Sequence, residues 1–297
     1  MTAKPVGGAR VERADEDDDG RDGEAGGVGA GFAKAGDFAV AGPRRAPFGD
    51  PLVEFLLRLG DDRLILGHRL SEWCGHGPIL EEDIATSNMA LDLIGQAAQL
   101  LRLAGEEEGK GRDEDSLAYF RDAVDFRNCL MVEQPKGDFG YTTMRQFLFD
   151  AYSVLLWEAL VGASHEGLAA VAAKALKEAK YHLRHSSEWV VRLGDGTEES
   201  HVRIQRSLDE LWRFTGELFE RDAVVEGAVK AGVAVDLEAL RSRWDAIVRD
   251  VIGRATLTIP ADVAMQSGGR RGRHTEHLGH LLATMQIVAR SHPGAKW

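Results

Sequence analysis

The chain has 297 residues, 44% of them hydrophobic, and a formal net charge of -12. That supports a sizeable core and excludes a wholly disordered protein, while the acidic balance argues against a nucleic-acid partner, which would need a basic surface. No apolar run reaches bilayer length and the N-terminus lacks the apolar stretch of a secretory signal, so the expected compartment is the cytoplasm, with Cys74 and Cys129 as buried thiols.

Residues 1–46 are rich in Gly, Ala and acid, with an unbroken acidic run from Asp15 to Asp19, and read as a disordered arm. At Pro51 the composition changes. Leu52, Phe55, Leu56 and Leu59, then Leu64, Ile65, Leu66 and Leu70, predict a helix interrupted near Gly60. Pro78, ahead of Glu81, Glu82 and Asp83, opens a second helix to about Ala104 that pairs with the first as a hairpin. Residues 105–115 form a polar loop, Leu117, Phe120, Val124 and Met131 a shorter helix, and residues 133–140 a break. Residues 142–162 are apolar nearly all round, as in a helix buried on several sides.

The clearest helix runs from Glu166 to Gly194, where Leu168, Ala172, Ala175, Ala179, Leu183, Ser186 and Val190 recur at steps of three and four. Gly194 is the expected left-handed close, and Thr197 before Glu198 and Glu199 the N-cap of the next helix, over residues 200–220. Leu237, Leu240, Trp244, Ile247 and Val251 mark another helix, residues 256–260 an extended stretch, and Leu278, Leu281, Met285 and Val288 a last helix. Trp73, Trp157, Trp189, Trp212 and Trp244 read as core or interface anchors.

No segment alternates apolar and polar residues long enough for a strand, so the fold class is all-α. Two long hairpins joined through residues 105–140 suit a ferritin-like helical bundle with extra C-terminal helices. The expected division is the arm at 1–46, the bundle at 47–220 and a C-terminal helical extension at 221–297. Such bundles hold two metal ions with carboxylates from four helices, two of them within Glu-x-x-His. Here the second helix offers Asp92 followed by Gly95, and Ala179 stands three residues before His182. Asp62 is placed to face Asp92, Glu178 precedes His182 by four, and the remaining helix presents Arg145 and Asp150, a cation that would repel metal. A displaced ligand set of Asp62, Asp92, Asp150, Glu178 and His182 is one reading. The other is a core of salt bridges among those carboxylates, Arg145, Lys177 and His182, with no metal and no catalytic residue in this chain.

His274, His277 and His280 lie along one helical edge, but no fourth ligand is evident for zinc, and capping or surface packing accounts for them. The turn Gly268-Gly269-Arg270-Arg271-Gly272-Arg273 exposes backbone amides beside forked donors, so Arg270, Arg271 and Arg273 are candidate phosphate contacts, with a merely solvated basic turn as the alternative. No nucleophile elbow, Walker loop or dinucleotide-binding glycine fingerprint is present.

Four ordered segments, RLSEWCGHGPILEEDIATSNMALDLIGQA (69–97), LMVEQPKGDFGYTTMRQFLFDAY (130–152), KEAKYHLRHSSEWVVRLGDGTEES (177–200) and TEHLGHLLATMQ (275–286), together resemble the structural, C-type subunits of bacterial multicomponent phenylacetyl-CoA monooxygenases. The resemblance runs from about residue 50 to the C-terminus. It implies a subunit that has lost its di-iron site and stabilises a homologous catalytic subunit that retains one. It also implies a complex that forms the ring 1,2-epoxide of phenylacetyl-CoA with dioxygen, drawing NADPH electrons through a flavin and iron-sulfur reductase. Whether this chain touches coenzyme A stays open, through the candidate arginines above. The competing expectations are a metal-dependent oxygenase in its own right and a free-standing helical scaffold.

Overall fold

In the computed structural model of the protein, residues 49–295 are described, and the expected acidic arm at 1–46 lies outside them. Ten α-helices and three short 3-10 turns make up these residues, with no strand among them. The expected all-α, ferritin-like bundle is the fold. Helices α1 (Pro51–Ser71) and α2 (Leu80–Glu108) form one hairpin, α5 (Phe139–Leu160) and α6 (Glu166–Gly194) the other, and α2 meets α6 to close the four-helix core. Between the hairpins run α3 (Glu114–Tyr119), a 3-10 turn at Ala123–Asp125 and α4 (Leu130–Glu133). After α6 come α7 (Glu198–Leu211), a 3-10 segment at Trp212–Phe219, and α8 (Ala223–Lys230), α9 (Leu237–Arg254) and α10 (Glu276–Ser291). Helix α8 covers α1, α9 covers α5 and α6, and α10 lies over α3 and α4. No helix of the described residues is long and apolar enough to cross a membrane.

Where the structure departs from the periodicity, the reasons are local. Helix α1 is not interrupted at Gly60: a Cβ there would stand 2.8 Å from Leu101 Cδ2, so the glycine lets α2 approach α1 rather than ending it. Gly194 likewise lies inside α6, not beyond it, because an added Cβ would meet the Ala255 carbonyl at 2.3 Å where α9 ends against α6. Thr197 caps α7 as expected, in a reciprocal pair with Ser200. Asp138 caps α5 by accepting from Tyr141 N at 2.8 Å, starting that helix earlier than residue 142. The apolar pattern missed α8, which opens with Asp222 accepting from the amides of Val224 and Val225. Cys129 is buried as expected, whereas Cys74 is exposed.

The single helix expected across Leu117 to Met131 breaks into three short pieces, and buried carboxylates of α1 cause this. Asp61 accepts from Arg127 N at 2.8 Å and Asp62 from Cys129 N at 2.8 Å, so these amides leave the helical ladder for side chains. Asp61 also receives both terminal nitrogens of Arg121, and Glu54 receives Arg127 Nε at 2.8 Å. The loop before α10 is held the same way. Arg270 donates to both oxygens of Asp62, at 3.0 and 2.9 Å, and Glu217 accepts from the amides of Leu130, Gly268 and Arg270. Glu133 completes the layer by bonding Asn128, His274 and Thr275 N. Gly269 is required here, since a Cβ would lie 2.1 Å from the Asn128 carbonyl.

Candidate functional site: the interior faces of the four long helices

The inward positions of α1, α2, α5 and α6 are where a bundle of this kind keeps its chemistry. On α1, Arg63 is fully buried and its guanidinium stacks over two α5 rings, 4.5 Å from the Trp157 centroid and 5.3 Å from that of Phe149. Its Nε and Nη2 have no partner, Asp62 is 3.7 Å away, and burial pulls its pKa down. A cation thus fills the space between α1 and α5.

Across the bundle, α2 and α6 run antiparallel and are joined by a ladder of polar pairs. Glu82 meets His185 Nε2 at 2.9 Å, Asp92 meets His182 Nε2 at 3.0 Å, and Gln96 donates to Glu178 at 2.8 Å. Glu107 and His165, at 3.0 Å, close the far end. The Asp92 side chain is 38% exposed while that of His182 is 2% exposed, so the pair spans surface and interior. Asp150 of α5 lies deeper, accepting from Gln146 Nε2 at 2.7 Å and Ser186 Oγ at 2.8 Å. Burial pushes its carboxyl up to about 7, against the pull of His182 and its two donors. A cavity of about 20 Å³, room for one water, lies beside it among Thr86, Thr143, Gln146, His185 and Ser186.

The six interior residues singled out from the sequence therefore do not form one cluster. Asp92 and His182 come together as a pair. Asp62 turns to Arg270 and the Cys129 amide, not to Asp92, because the loop before α10 supplies a bidentate cation. Arg145 reaches none of the bundle carboxylates: it is fully buried, its Nη1 donates to the carbonyls of Gln134 and Pro135, and its Nε and Nη2 are unpartnered. Desolvation lowers its pKa to about 10. Glu178 bonds Gln96 and approaches Lys174 rather than Lys177 or His182.

These donors do not fit the di-iron centre that the fold family implies. Each carboxylate of the interior already has a cationic, imidazole, amide or hydroxyl partner, and no group of three His, Cys, Asp or Glu able to hold a metal exists among the described residues. The three histidines of the last segment also part company: His274 bonds Glu133 at 2.7 Å, while His277 and His280 line different clefts.

The basic turn differs from expectation as well. Its amides do cradle an anion, but that anion is Glu217 of the same chain. Arg270 is 6% exposed and bonded to Asp62, so it is unavailable to a phosphate; Arg271 pairs with Glu220, and Arg273 is exposed. Sequence reasoning passed over Glu54, Asp61, Glu133 and Glu217. The signal for the first two was present: Glu54, Arg58, Asp61 and Asp62 sit at helical spacing in a segment otherwise apolar on every side, which demands buried ion pairing.

Fold and interior together define a class: a ferritin-like helical bundle whose inward carboxylates are engaged by arginine, imidazole, amide and hydroxyl partners of the same chain. The chain belongs to the family described as phenylacetic acid catabolic protein, whose pattern it matches over residues 46–297. It is 48% identical over 246 residues, 83% of this chain and 99% of the relative, to the C-type subunit of the 1,2-phenylacetyl-CoA epoxidase of Escherichia coli (strain K12). That relative is by name one component of an epoxidase, and the resemblance of the four sequence segments points to the same place.

Proposed function

We propose that this chain is the non-catalytic structural subunit of a multicomponent di-iron monooxygenase that epoxidises the aromatic ring of phenylacetyl-CoA in phenylacetate degradation. It pairs with, and stabilises, a homologous subunit that holds the iron. The observation that carries this reading is the fate of the ligand positions: Gly95 and Ala179 stand where the motif needs His and Glu, Asp62 is saturated by Arg270, and the Arg63 guanidinium occupies the interior. In this reading the oxygen chemistry belongs to the partner, with electrons from NADPH arriving through a flavin and iron-sulfur reductase. This chain's own residues supply shape. A core held by ion pairs keeps the bundle geometry that a metal would otherwise impose. Exposed Ile79, Leu80, Ile84, Leu91 and Tyr181 on the α2 and α6 side are consistent with a subunit that works in a heteromer.

Metal analysis by mass spectrometry, on the chain alone and co-purified with the iron-bearing subunit, tests the reading. The expected result is iron in the complex only. Stoichiometric iron in the isolated chain would overturn it and restore the displaced ligand set around Glu178 and His182.

A further inference from the structure

A cleft of about 560 Å³ opens between the loop Gln134 to Asp138, the start of α5 and the outer face of α7, a volume in the range of small-molecule sites. Arg203, Arg206 and Arg213 line it, spaced so that α7 and its 3-10 continuation present all three to one side, together with Tyr141, Phe214 and His277. Asp138 and Glu210 are the acids of the lining, so the cleft is locally positive on a chain whose net charge is -12.

The arginines differ in how firmly they are held. Arg206 pairs with Glu210 at 2.7 Å, and Arg203 with Glu199 at 2.6 Å and Asp138 at 3.6 Å, all with largely exposed side chains. Exposed pairs of this kind contribute little, so a better acceptor replaces them readily. Arg213 is exposed and makes no ion pair among the described residues. Behind the wall lies Arg145, one turn along α5 from Tyr141, whose Nη1 holds the carbonyls of the lining residues Gln134 and Pro135. It forms no ion pair either, and two of its guanidinium nitrogens are unpartnered. The acid nearest in influence, Glu72, is engaged by Arg69. A fully buried guanidinium without a carboxylate is costly, and an anion in the cleft beside it offsets that cost.

We propose that this cleft binds the phosphorylated nucleotide end of a coenzyme A thioester, with Arg213 and Arg206 as forked donors to phosphate and Tyr141 and Phe214 as the apolar wall for the base. The assignment of coenzyme A among phosphate ligands rests on the function proposed above; the anion-binding character of the cleft does not. It moves the phosphate contact from the basic turn at 268–273, which Asp62 and Glu217 already occupy, to the cleft lined by α5's capping loop and α7.

The test is isothermal titration of the full chain, and of its complex with the iron-bearing subunit, with coenzyme A, 3′-dephospho-coenzyme A, ATP and inorganic phosphate. Coenzyme A is expected to bind, 3′-dephospho-coenzyme A more weakly, and Arg213→Ala to lose about ten-fold in affinity, as removal of one forked phosphate contact should. Arg273→Ala, an exposed arginine outside the cleft, should leave binding unchanged. Equal binding by Arg213→Ala and wild type, loss on Arg273→Ala instead, or no coenzyme A binding at all would overturn the proposal; ATP binding as tightly as coenzyme A would overturn the choice of ligand. Co-purification with the iron-bearing subunit is scored separately. Its failure in the wild type sinks the subunit reading, whereas its success without coenzyme A binding sinks only the cleft.

Discussion

Two layers of this molecule use the same acids and bases to opposite ends. In the deep layer, Glu54, Asp61, Asp62, Glu133 and Glu217 are nearly solvent-free; Asp61, Asp62, Glu133 and Glu217 bind backbone amides, and Glu54, Asp61 and Asp62 bind arginines. In the α2 and α6 seam, Glu82, Asp92 and Glu178 meet side-chain amide and imidazole groups near the edge of solvent. The deep pairs organise backbone that has no regular structure of its own. The seam pairs connect two helices that would stand without them. Charge burial therefore fixes irregular chain, while helix packing alone fixes regular chain, and a mutation in either layer should show which kind it touches.

The largest expected effect breaks the deep layer. Asp62→Ala leaves Arg270 buried without its partner, whose attraction at present outweighs the burial that works against the charge and keeps the pKa of Arg270 raised. The loss should be about 3–5 kcal/mol, or roughly 6–20 °C in melting temperature by calorimetry. Replacing both Asp62 and Arg270 by apolar residues should recover most of that loss, and a double variant as unstable as the single one would count against the pairing argument.

Next in size is a pH effect at the buried end of the seam. The native carboxyl of Asp150 is raised from 3.8 to about 7, so between those values the folded chain holds a proton that the unfolded chain has released. Its contribution to stability is accordingly largest below pH 4 and declines as pH rises to about 7, by on the order of a few kcal/mol, then levels off. In urea titrations from pH 4 to 8, Asp150→Asn should remove that downward slope; an unchanged slope would show that Asp150 does not titrate in this window.

Gly269→Ala sharpens the contrast from the backbone side. Its new Cβ must displace the Asn128 carbonyl, with an expected cost of about 1–3 kcal/mol in chemical denaturation. The smallest effect belongs to the seam: Asp92→Asn keeps a hydrogen-bond acceptor toward His182 and should cost about 0.5–1 kcal/mol. A loss as large as that of Asp62→Ala would erase the distinction between the layers.

The sequence made the regular parts legible because helix packing leaves a period. The small-residue stripe of α6 gave its bounds to the residue, and the Thr197 cap gave the start of α7. What it concealed was set by contacts distant along the chain. Residues 117–131 carry helical spacing, yet their amides answer to Asp61 and Asp62 of α1, and no local pattern records that. Gly60 and Gly194 look like punctuation but serve close approach of a neighbouring helix. In the site, the departures from Glu-x-x-His at Gly95 and Ala179 can be read from spacing. The partners were not: Asp62 depends on an arginine 208 positions away, and Arg145 on carbonyls of the preceding loop.

That separation of 208 positions carries a consequence for biosynthesis. Asp62 of helix α1 leaves the ribosome 208 residues ahead of the cation that neutralises it. Until residue 270 is made, the first hairpin must keep Asp62 hydrated, so its interior cannot close as in the finished chain. Closure thus waits for residue 270, and a nascent or truncated chain ending before Gly268 would present an open, carboxylate-lined hairpin where the finished one presents a sealed bundle.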